Sequence, residues 1–184
     1  MRIIAGKAGR IAIKVPSAVA RPTTDFVRQA IFSMLGETVL DTRVLDLFCG
    51  SGALGLEALS RGAKSCTFVD EHRQAISTVD GNLKKTKLEG GRAVKSEVFN
   101  FLKRDPSSYD LILADPPYWK NYGDTDLVAK LLVLPNLSEL LAPSGYLVAE
   151  TSSSQPAPTS PSLQLLDRRE YGSSAVLIFT HPQK

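Results

Sequence analysis

The 184-residue sequence has few of the residues from which disulfide-bonded and zinc-binding proteins are built: two cysteines and two histidines. Cys49 and Cys66 show no paired spacing, which indicates reduced thiols and argues against a disulfide framework. His72 and His181 lie far apart in the sequence, which argues against a structural zinc site and a Ser-His-Asp triad. We therefore expect no metal site.

Long apolar runs are also absent. No stretch approaches the roughly 20 apolar residues that span a bilayer, and the N-terminus has no apolar core of the signal-peptide kind. These absences predict a cytoplasmic protein without membrane contact. The length fits one domain with a small appendage, and 43% hydrophobic and 22% charged residues are typical of a globular chain.

The net charge of +3 is unevenly distributed. Residues 1–30 hold six cations against one anion, Asp25, whereas the remainder holds 16 cations and 18 anions. Two interpretations fit this run of positive charge: a solvated basic arm, or a phosphate-binding surface on one side of the molecule.

The basic region is predicted to form a β-hairpin followed by a helix. Apolar and polar residues alternate over residues 2–15, around a basic tip at residues 7–10. Thr23 or Thr24 suits the N-cap of a helix that runs to about Leu35. Arg28 is expected on the side of this helix opposite to its apolar face, which holds Phe26, Ala30, Ile31 and Met34.

The most informative stretch runs from Val44 to Gly55. Residues 44–48 form a short apolar run, typical of a strand buried on both faces. Gly50 and Gly52 permit a tight turn and the close approach of a ligand. Helical spacing begins at Ala53, so the turn presents free backbone N–H groups to a ligand above it.

Two classes of cofactor fit this turn. Gly50, Gly52 and Gly55, with an acid at Asp70, match the dinucleotide fingerprint, in which the acid binds a ribose. Asp46 argues against a pyrophosphate, because a carboxylate at the strand end repels phosphate. It suits a positively charged cofactor such as S-adenosylmethionine, which has a sulfonium and an ammonium group. This stretch alone leaves both NAD and S-adenosylmethionine open.

The chain alternates strands and helices, which predicts an α/β fold with a mostly parallel sheet. The strands are predicted at about 44–48, 65–70, 92–95, 109–115, 146–151, 163–171 and 175–180. The helices are predicted at about 53–61, 71–88, 97–104 and 126–141, with an interruption of the last at Pro135. The terminal hairpin implies one antiparallel strand, and the Ser/Thr/Pro-rich residues 152–162 indicate a mobile surface loop.

A second motif, Asp115-Pro116-Pro117-Tyr118, follows the fourth predicted strand. The first and fourth strands flank the switch point of a doubly wound sheet, so the motif lies beside the reactive end of the cofactor. Two prolines stiffen the loop and remove two N–H donors. The Asp115 carboxylate and the Pro116 carbonyl can then accept both hydrogens of an exocyclic amine, while Tyr118 stacks on the base.

This motif favours methyl transfer over hydride transfer, in which it would have no role. Hydrogen bonds to both N–H groups hold the amine nitrogen nearer to a tetrahedral shape and direct its lone pair at a sulfonium methyl. In-line displacement then depends on positioning and electrostatics. No strong base is needed, because the alkylated nitrogen is acidic and loses its proton to Asp115 or water.

Three segments in the same order resemble the RsmD family: residues 2–6, residues 21–25 with Arg28, and residues 50–61. Together with Asp46, Asp70 and the 115–118 motif, the resemblance covers nearly the whole chain. That family consists of Rossmann-like S-adenosylmethionine-dependent enzymes that methylate guanine N2 in 16S ribosomal RNA. The resemblance implies a class I methyltransferase fold, with a seven-stranded sheet, a C-terminal antiparallel hairpin and an N-terminal β-hairpin extension.

The resemblance also implies roles for individual residues. The cofactor contacts would be Asp46, Phe48, Gly50, Ser51, Gly52, Asp70, Glu97, Val98 and Asp115. Relatives usually have Asn or Asp at the Glu97 position, so the Val98 backbone N–H is expected to contribute more there. The catalytic residues would be Asp115, Pro116 and Tyr118. The RNA contacts would be Arg2, Lys7, Arg10, Arg21 and Arg28.

Residues 1–36 would form the RNA-binding extension and residues 37–184 the methyltransferase domain of a monomer that acts on the small ribosomal subunit or its 16S RNA. Other hypotheses are methylation of DNA adenine, of another RNA guanine or of a protein glutamine, a non-catalytic RNA-binding assembly factor, and an NAD-dependent oxidoreductase. The basic arm argues against a protein substrate, and the intact 115–118 motif argues against a non-catalytic role. An Asp at position 115 suits guanine, whose N1–H and N2–H are adjacent donors.

Overall fold

The computed structural model describes residues 1–16, 24–117 and 125–183. Its centre is a seven-stranded sheet in the order β3-β2-β1-β4-β5-β7-β6. The strands are β1 Arg43–Leu47, β2 Ser65–Asp70, β3 Gly91–Lys95, β4 Tyr109–Ala114, β5 Leu141–Ser152, β6 Gln164–Tyr171 and β7 Ser174–Thr180. In the described sheet β7 alone runs opposite in direction to the other six strands, and it lies between β5 and β6. The predicted mostly parallel sheet and its terminal hairpin are confirmed.

The helices are α1 Asp25–Leu35, α2 Ala53–Ser60, α3 Arg73–Thr86, α4 Val98–Leu102, α5 Leu127–Leu132 and α6 Leu137–Leu140. A 3₁₀ turn at Gly36–Val39 follows α1. The predicted interruption at Pro135 is confirmed, because α5 and α6 are separated around this residue, which has no N–H to continue a helix. None of the helices in the described ranges is both long and apolar enough to cross a membrane.

Helices cover both faces of the sheet. Alternate strand residues point to opposite faces, so Val44 and Leu111 join one buried cluster while Leu45 and Ile112 join the other. The first cluster includes residues of α1, α2, α3 and the first 16 residues; the second includes residues of α4, α5 and α6. This three-layer arrangement leaves the carboxyl ends of β1, β2 and β4 side by side at one edge.

The buried face of α1 differs from the prediction. Thr24 is the N-cap and accepts from the backbone N–H of Val27 at 3.2 Å, as expected. The helix buries Val27, Arg28, Ile31, Phe32 and Leu35, whereas Phe26 is 66% exposed. Phe26 and Met34 instead line an open cavity of about 790 Å³ beside β6 and β7. The predicted apolar face is thus correct at Ile31 and wrong at Phe26 and Met34, and Arg28, which the sequence placed on the opposite side, is buried.

The first 16 residues, here called the N-terminal arm, pair in the antiparallel manner of the predicted hairpin, but over a shorter length than predicted. One antiparallel bridge joins Arg2 to Ala12. The backbone N–H of Ile3 donates to the Ile11 carbonyl at 3.0 Å. Ile3, Ala8 and Ile13 are buried in the same cluster as residues of α1 and α2. The arm therefore packs as part of the core, and the division of the chain at residue 36 stays a prediction.

Strand β5 is longer than predicted. The sequence places its start near Tyr146, but the strand begins at Leu141, opposite Tyr109. Pro143 and Gly145 resemble a turn in the sequence. The strand accommodates them through a shift in register against β4.

Candidate active site

The candidate site begins where β1 ends. Asp46 is 1% exposed, and its Oδ2 accepts a hydrogen bond from the backbone N–H of Gly55 at 2.9 Å. Burial raises the pKa of Asp46 well above its ordinary value, and the charges of Asp115 and Asp70 raise it further. Three carboxyl groups, from the ends of β1, β2 and β4, therefore act on one another at this edge of the sheet.

The turn between β1 and α2 is built on left-handed backbone. Phe48 has φ +57°, Gly50 +52° and Gly52 +76°. A Cβ at Gly55 would lie 2.4 Å from the Phe68 ring and 2.5 Å from the Cys66 sulfur. The absence of a side chain at Gly55 thus lets α2 pack closely against β2. This packing places the Gly55 N–H beside Asp46. The half-buried Phe48 ring lies edge-on to Phe99, with 6.2 Å between the centroids.

Asp70 joins this turn to the end of β2. Its Oδ2 accepts from the Gly50 N–H at 3.0 Å, and its Oδ1 accepts from the His72 N–H at 2.9 Å. The Asp70 side chain remains 11% exposed. Nδ1 of the His72 ring also lies 3.1 Å from Oδ1. A pair of hydroxyls would therefore take the second acceptor position of Oδ2 and compete with the His72 ring at Oδ1.

Two predicted cofactor contacts also have partners within the fold. The Glu97 carboxylate caps α4, accepting from the N–H groups of Phe99 at 3.1 Å and Asn100 at 2.8 Å. Each of its oxygens can accept a second hydrogen bond, so its contact with the cofactor stays a prediction; the adjacent Val98 is buried. Ser51 is 4% exposed, and its hydroxyl lies 3.8 Å from the Met1 sulfur. The cofactor contact of Ser51 also stays a prediction.

The 115–117 segment follows β4, directly beside the glycine turn. Leu47 at the end of β1 pairs with Ala114 at the end of β4, which confirms that the first and fourth strands are neighbours. Asp115 is half-buried, Pro116 is buried and Pro117 is exposed. Tyr118 lies outside the described residues. Asp115 and the glycine turn thus share one edge of the sheet, as the sequence predicts.

The predicted RNA contacts differ in accessibility. Arg2, Lys7 and Arg10 are exposed on the N-terminal arm, whereas Arg21 lies outside the described residues. Arg28 is fully buried: it donates to the Asp25 carboxylate at 3.0 Å and lies 3.9 Å from the Glu57 carboxylate. Burial lowers its pKa, an effect that both carboxylates oppose. The predicted RNA contact for Arg28 is therefore wrong, because its guanidinium has no surface to offer a phosphate.

Sequence analysis missed three buried polar residues that hold the arm: Glu57 and Ser60 on α2, and Asn82 on α3. Glu57 and Ser60 are the charged and hydroxyl residues of an otherwise apolar helix, and this pattern was an available signal. Asn82 lies in a polar helix, where the sequence gives no such signal. Among the described residues, no group of three His, Cys, Asp or Glu side chains is arranged to hold a metal ion.

As a set, these groups fit a positively charged ligand with vicinal hydroxyls. Asp46 and Asp115 supply negative charge, and Asp70 supplies hydroxyl acceptors. A pyrophosphate would meet three carboxyl groups, so the dinucleotide interpretation does not fit this edge of the sheet.

Comparisons with known proteins agree with this architecture. The family model described as "Conserved hypothetical protein 95" matches residues 1–180. The "Putative rRNA methyltransferase YlbH" of Bacillus subtilis is 36% identical over 185 residues, which cover 97% of this chain and 98% of that protein. The "Ribosomal RNA small subunit methyltransferase D" of Escherichia coli K12 is 38% identical over 119 residues, 64% of this chain and 60% of that protein.

A solved structure gives the same result in three dimensions. The structure described as "Putative methyltransferase yhhF from Escherichia coli" superposes with a TM-score of 0.84 at 31% identity, covering 98% of this chain and 97% of that one. The similarity therefore includes both the N-terminal arm and the terminal hairpin.

Proposed function

Because the chain belongs to the RsmD family of methyltransferases, we propose that it transfers a methyl group from S-adenosylmethionine to the exocyclic N2 amine of a guanine in 16S ribosomal RNA. The observation that carries the proposal is the convergence of Asp46, Asp70 and Asp115 around one glycine turn. The name of the Escherichia coli relative supports small-subunit ribosomal RNA as the substrate.

S-Adenosylmethionine, when bound, supplies an electrophilic methyl group on a positively charged sulfur. Asp46 is buried beside two other carboxyl groups, so a cation at this place stabilises its ionised form. Asp70 accepts hydrogen bonds from the ribose hydroxyls on Oδ2, which also holds the turn, and on Oδ1, which also contacts His72. The glycine turn keeps side chains away from the ligand, with Gly50 and Gly52 in left-handed backbone.

Asp115 and Pro116 select an amine as the acceptor of the methyl group. The Asp115 carboxylate and the Pro116 carbonyl accept its two hydrogens, and neither Pro116 nor Pro117 presents a competing backbone donor. These bonds hold the amine nitrogen with its lone pair available for attack. Formation of the new N–C bond would be accompanied by cleavage of the methyl–sulfur bond, with S-adenosylhomocysteine as the leaving group, and Asp115 or water would then accept the proton that the nitrogen releases. We propose that Tyr118 stacks on the guanine.

The exposed cations of the N-terminal arm supply the RNA surface. Arg2, Lys7 and Arg10 carry three positive charges on a loop that the core holds in place, and Arg21 is proposed to extend this surface. Phosphate contacts of this kind position an RNA without reading its sequence. We propose that the protein acts as a monomer in the cytoplasm and that its target is presented by the small subunit or its RNA.

The test uses small ribosomal subunits from cells that lack this protein. Purified enzyme and S-adenosylmethionine with a labelled methyl group are added, and the RNA is digested to nucleosides. We expect labelled N2-methylguanosine, and we expect none with the Asp115→Ala variant.

Label on another base would show that the protein is a methyltransferase but would overturn the proposed target. Absence of label on both subunits and naked RNA, with S-adenosylmethionine binding intact, would favour a non-catalytic RNA-binding role.

A further inference from the structure

The N-terminal arm is fixed to the two helices that follow β1 and β2. The backbone N–H groups of Ile4 and Ala5 donate to the Glu57 carboxylate on α2 at 2.7 and 3.1 Å. The Lys14 N–H donates to Oδ1 of Asn82 on α3 at 2.8 Å. The arm that carries the exposed cations is therefore held by its backbone, which leaves its charged side chains available.

Asn82 differs from the other anchor because it also contacts the candidate active site. It is fully buried. Its Nδ2 donates to the Lys14 carbonyl at 3.0 Å and to the Ser51 carbonyl at 3.0 Å. Ser51 stands between Gly50 and Gly52, so one side-chain amide joins the arm to the glycine turn. Met1 makes a second contact, 3.8 Å from its sulfur to the Ser51 hydroxyl.

These contacts use both N–H donors of the Asn82 amide and one of the two acceptor positions of its oxygen. If the arm leaves α3, Asn82 loses two partners in a buried position, which is costly. If the turn moves, the third bond is lost. The docked arm and the ordered turn therefore stabilise each other through one residue.

We propose that Asn82 is a positioning residue that couples the RNA-binding arm to the cofactor turn. A ligand that orders the turn stabilises the docking of the arm on α3. Because coupling between two sites is reciprocal, RNA bound to the arm stabilises the ordered turn. This inference rests on the proposed function, since it assigns the turn to the cofactor and the arm to RNA.

Ser60 provides the matched comparison. Its hydroxyl accepts from the Ala8 N–H at 2.9 Å and donates to the Ala5 carbonyl, so it holds the arm. It lies at the far end of α2 from the glycine turn. Ser60→Ala should loosen the arm without breaking the connection through Asn82.

The experiment is amide hydrogen exchange of the full chain, followed by NMR, with and without saturating S-adenosylhomocysteine as the probe of the cofactor site. In the wild type we expect the Lys14 and Ile13 amides to exchange at least about fivefold more slowly with the probe, the lower end of typical coupling factors. In Asn82→Ala the probe should no longer slow exchange at Lys14 and Ile13, but it should still slow exchange at Gly50 and His72. Ser60→Ala should exchange faster at Ala8 but keep the increment at Lys14.

Calorimetry of the same samples separates the two proposals. If the wild type binds the probe and the Lys14 and Ile13 amides do not change, or if Asn82→Ala keeps the full increment, the coupling is wrong and the proposed function stands. If the wild type does not bind the probe, both fail. The wild-type comparison decides the matter even if Asn82→Ala does not fold.

Discussion

The Asp46 carboxylate and the Gly55 backbone N–H, separated by nine positions in the sequence, are joined by a 2.9 Å hydrogen bond. This bond closes the glycine turn by connecting the end of β1 to the first turn of α2. It does not compensate fully for burial, because the pKa of Asp46 remains well above its ordinary value. The site thus contains a carboxyl group that destabilises the ligand-free fold when ionised.

Asp46→Asn should therefore stabilise the ligand-free protein at neutral pH. Between the unfolded and the native pKa of Asp46, the folded state binds more protons, so stability falls as pH rises through that interval. Asparagine has no such titration and keeps an oxygen acceptor for Gly55. Thermal unfolding should be measured over a pH series. At pH values above the native pKa of Asp46, the melting temperature of the variant should exceed that of the wild type by several degrees. This difference should shrink as the pH falls toward the ordinary pKa of a carboxyl group.

The same substitution should weaken the binding of S-adenosylmethionine by about tenfold or more, equal to about 1.4 kcal/mol, because a cationic ligand loses its buried counter-charge. Isothermal titration gives this value. A variant that is less stable than the wild type at every pH would show that the Asp46 charge is already compensated in the free protein.

Asp115→Ala should reduce methyl transfer by at least about 10²-fold, the scale expected when a group that acts on the reacting atoms is removed. The affinity for S-adenosylhomocysteine should stay within a few fold, because the groups that hold the glycine turn are Asp46 and Asp70. Single-turnover assays on small subunits and calorimetry measure the two quantities. Asp115→Asn, which keeps an acceptor oxygen, should retain more activity than the alanine variant. A parallel loss of cofactor affinity in Asp115→Ala would mean that this residue binds the cofactor rather than the methyl acceptor.

Gly6→Ala should detach the arm. A Cβ at Gly6 would lie 1.9 Å from the Ser60 carbonyl oxygen, and the residue has φ +79°. Gly172→Ala is the control, since its φ is +63° and no atom lies within 4 Å of its Cβ. Urea unfolding should give a loss of about 1–2 kcal/mol for the control, from the left-handed backbone alone. Gly6→Ala should lose at least about 2 kcal/mol more, from overpacking. Equal losses would mean that the arm is not held at this contact.

Lys7→Glu with Arg10→Glu should weaken the binding of naked 16S RNA and flatten its salt dependence. Both side chains are exposed, and each phosphate contact contributes roughly 0.7–0.9 to the slope of log affinity against log salt. The control is Arg92→Glu with Lys95→Glu, an equal charge change on β3, where both side chains are also exposed. Filter binding over a salt series checks the slopes. If the two double variants behave alike, net charge rather than the arm determines RNA affinity.

Local patterns predicted most of the sheet. The bounds of β2 at Ser65–Asp70 agree with the prediction because the strand is a short apolar run that ends at an acid and a helix start. The strand-end acids Asp46 and Asp70 could be assigned to one edge because parallel strands place their carboxyl ends together. What failed depends on partners distant in the sequence. Arg28 is buried because Glu57 lies on another helix.

Asn82 shows the same limit at the candidate site. An asparagine in a polar helix is ordinarily a surface residue, and its two partners, Lys14 and Ser51, are known only once the arm has been placed. The cap formed by Glu97 could have been predicted, since an acid before a short apolar helix is a common cap.

The order of strands has a consequence for how the chain is made. In the described sheet, β6 is the edge strand and pairs with β7 alone, although β7 follows β6 in the sequence. The strands that shape the candidate site, β1 to β4, are complete by Ala114. During synthesis the strands of the candidate site therefore leave the ribosome before β6 and β7 do. The backbone hydrogen-bonding groups of Gln164–Tyr171 stay unpaired until residues up to Thr180 have been synthesised. During this interval the unpaired strand can pair with strands of other chains.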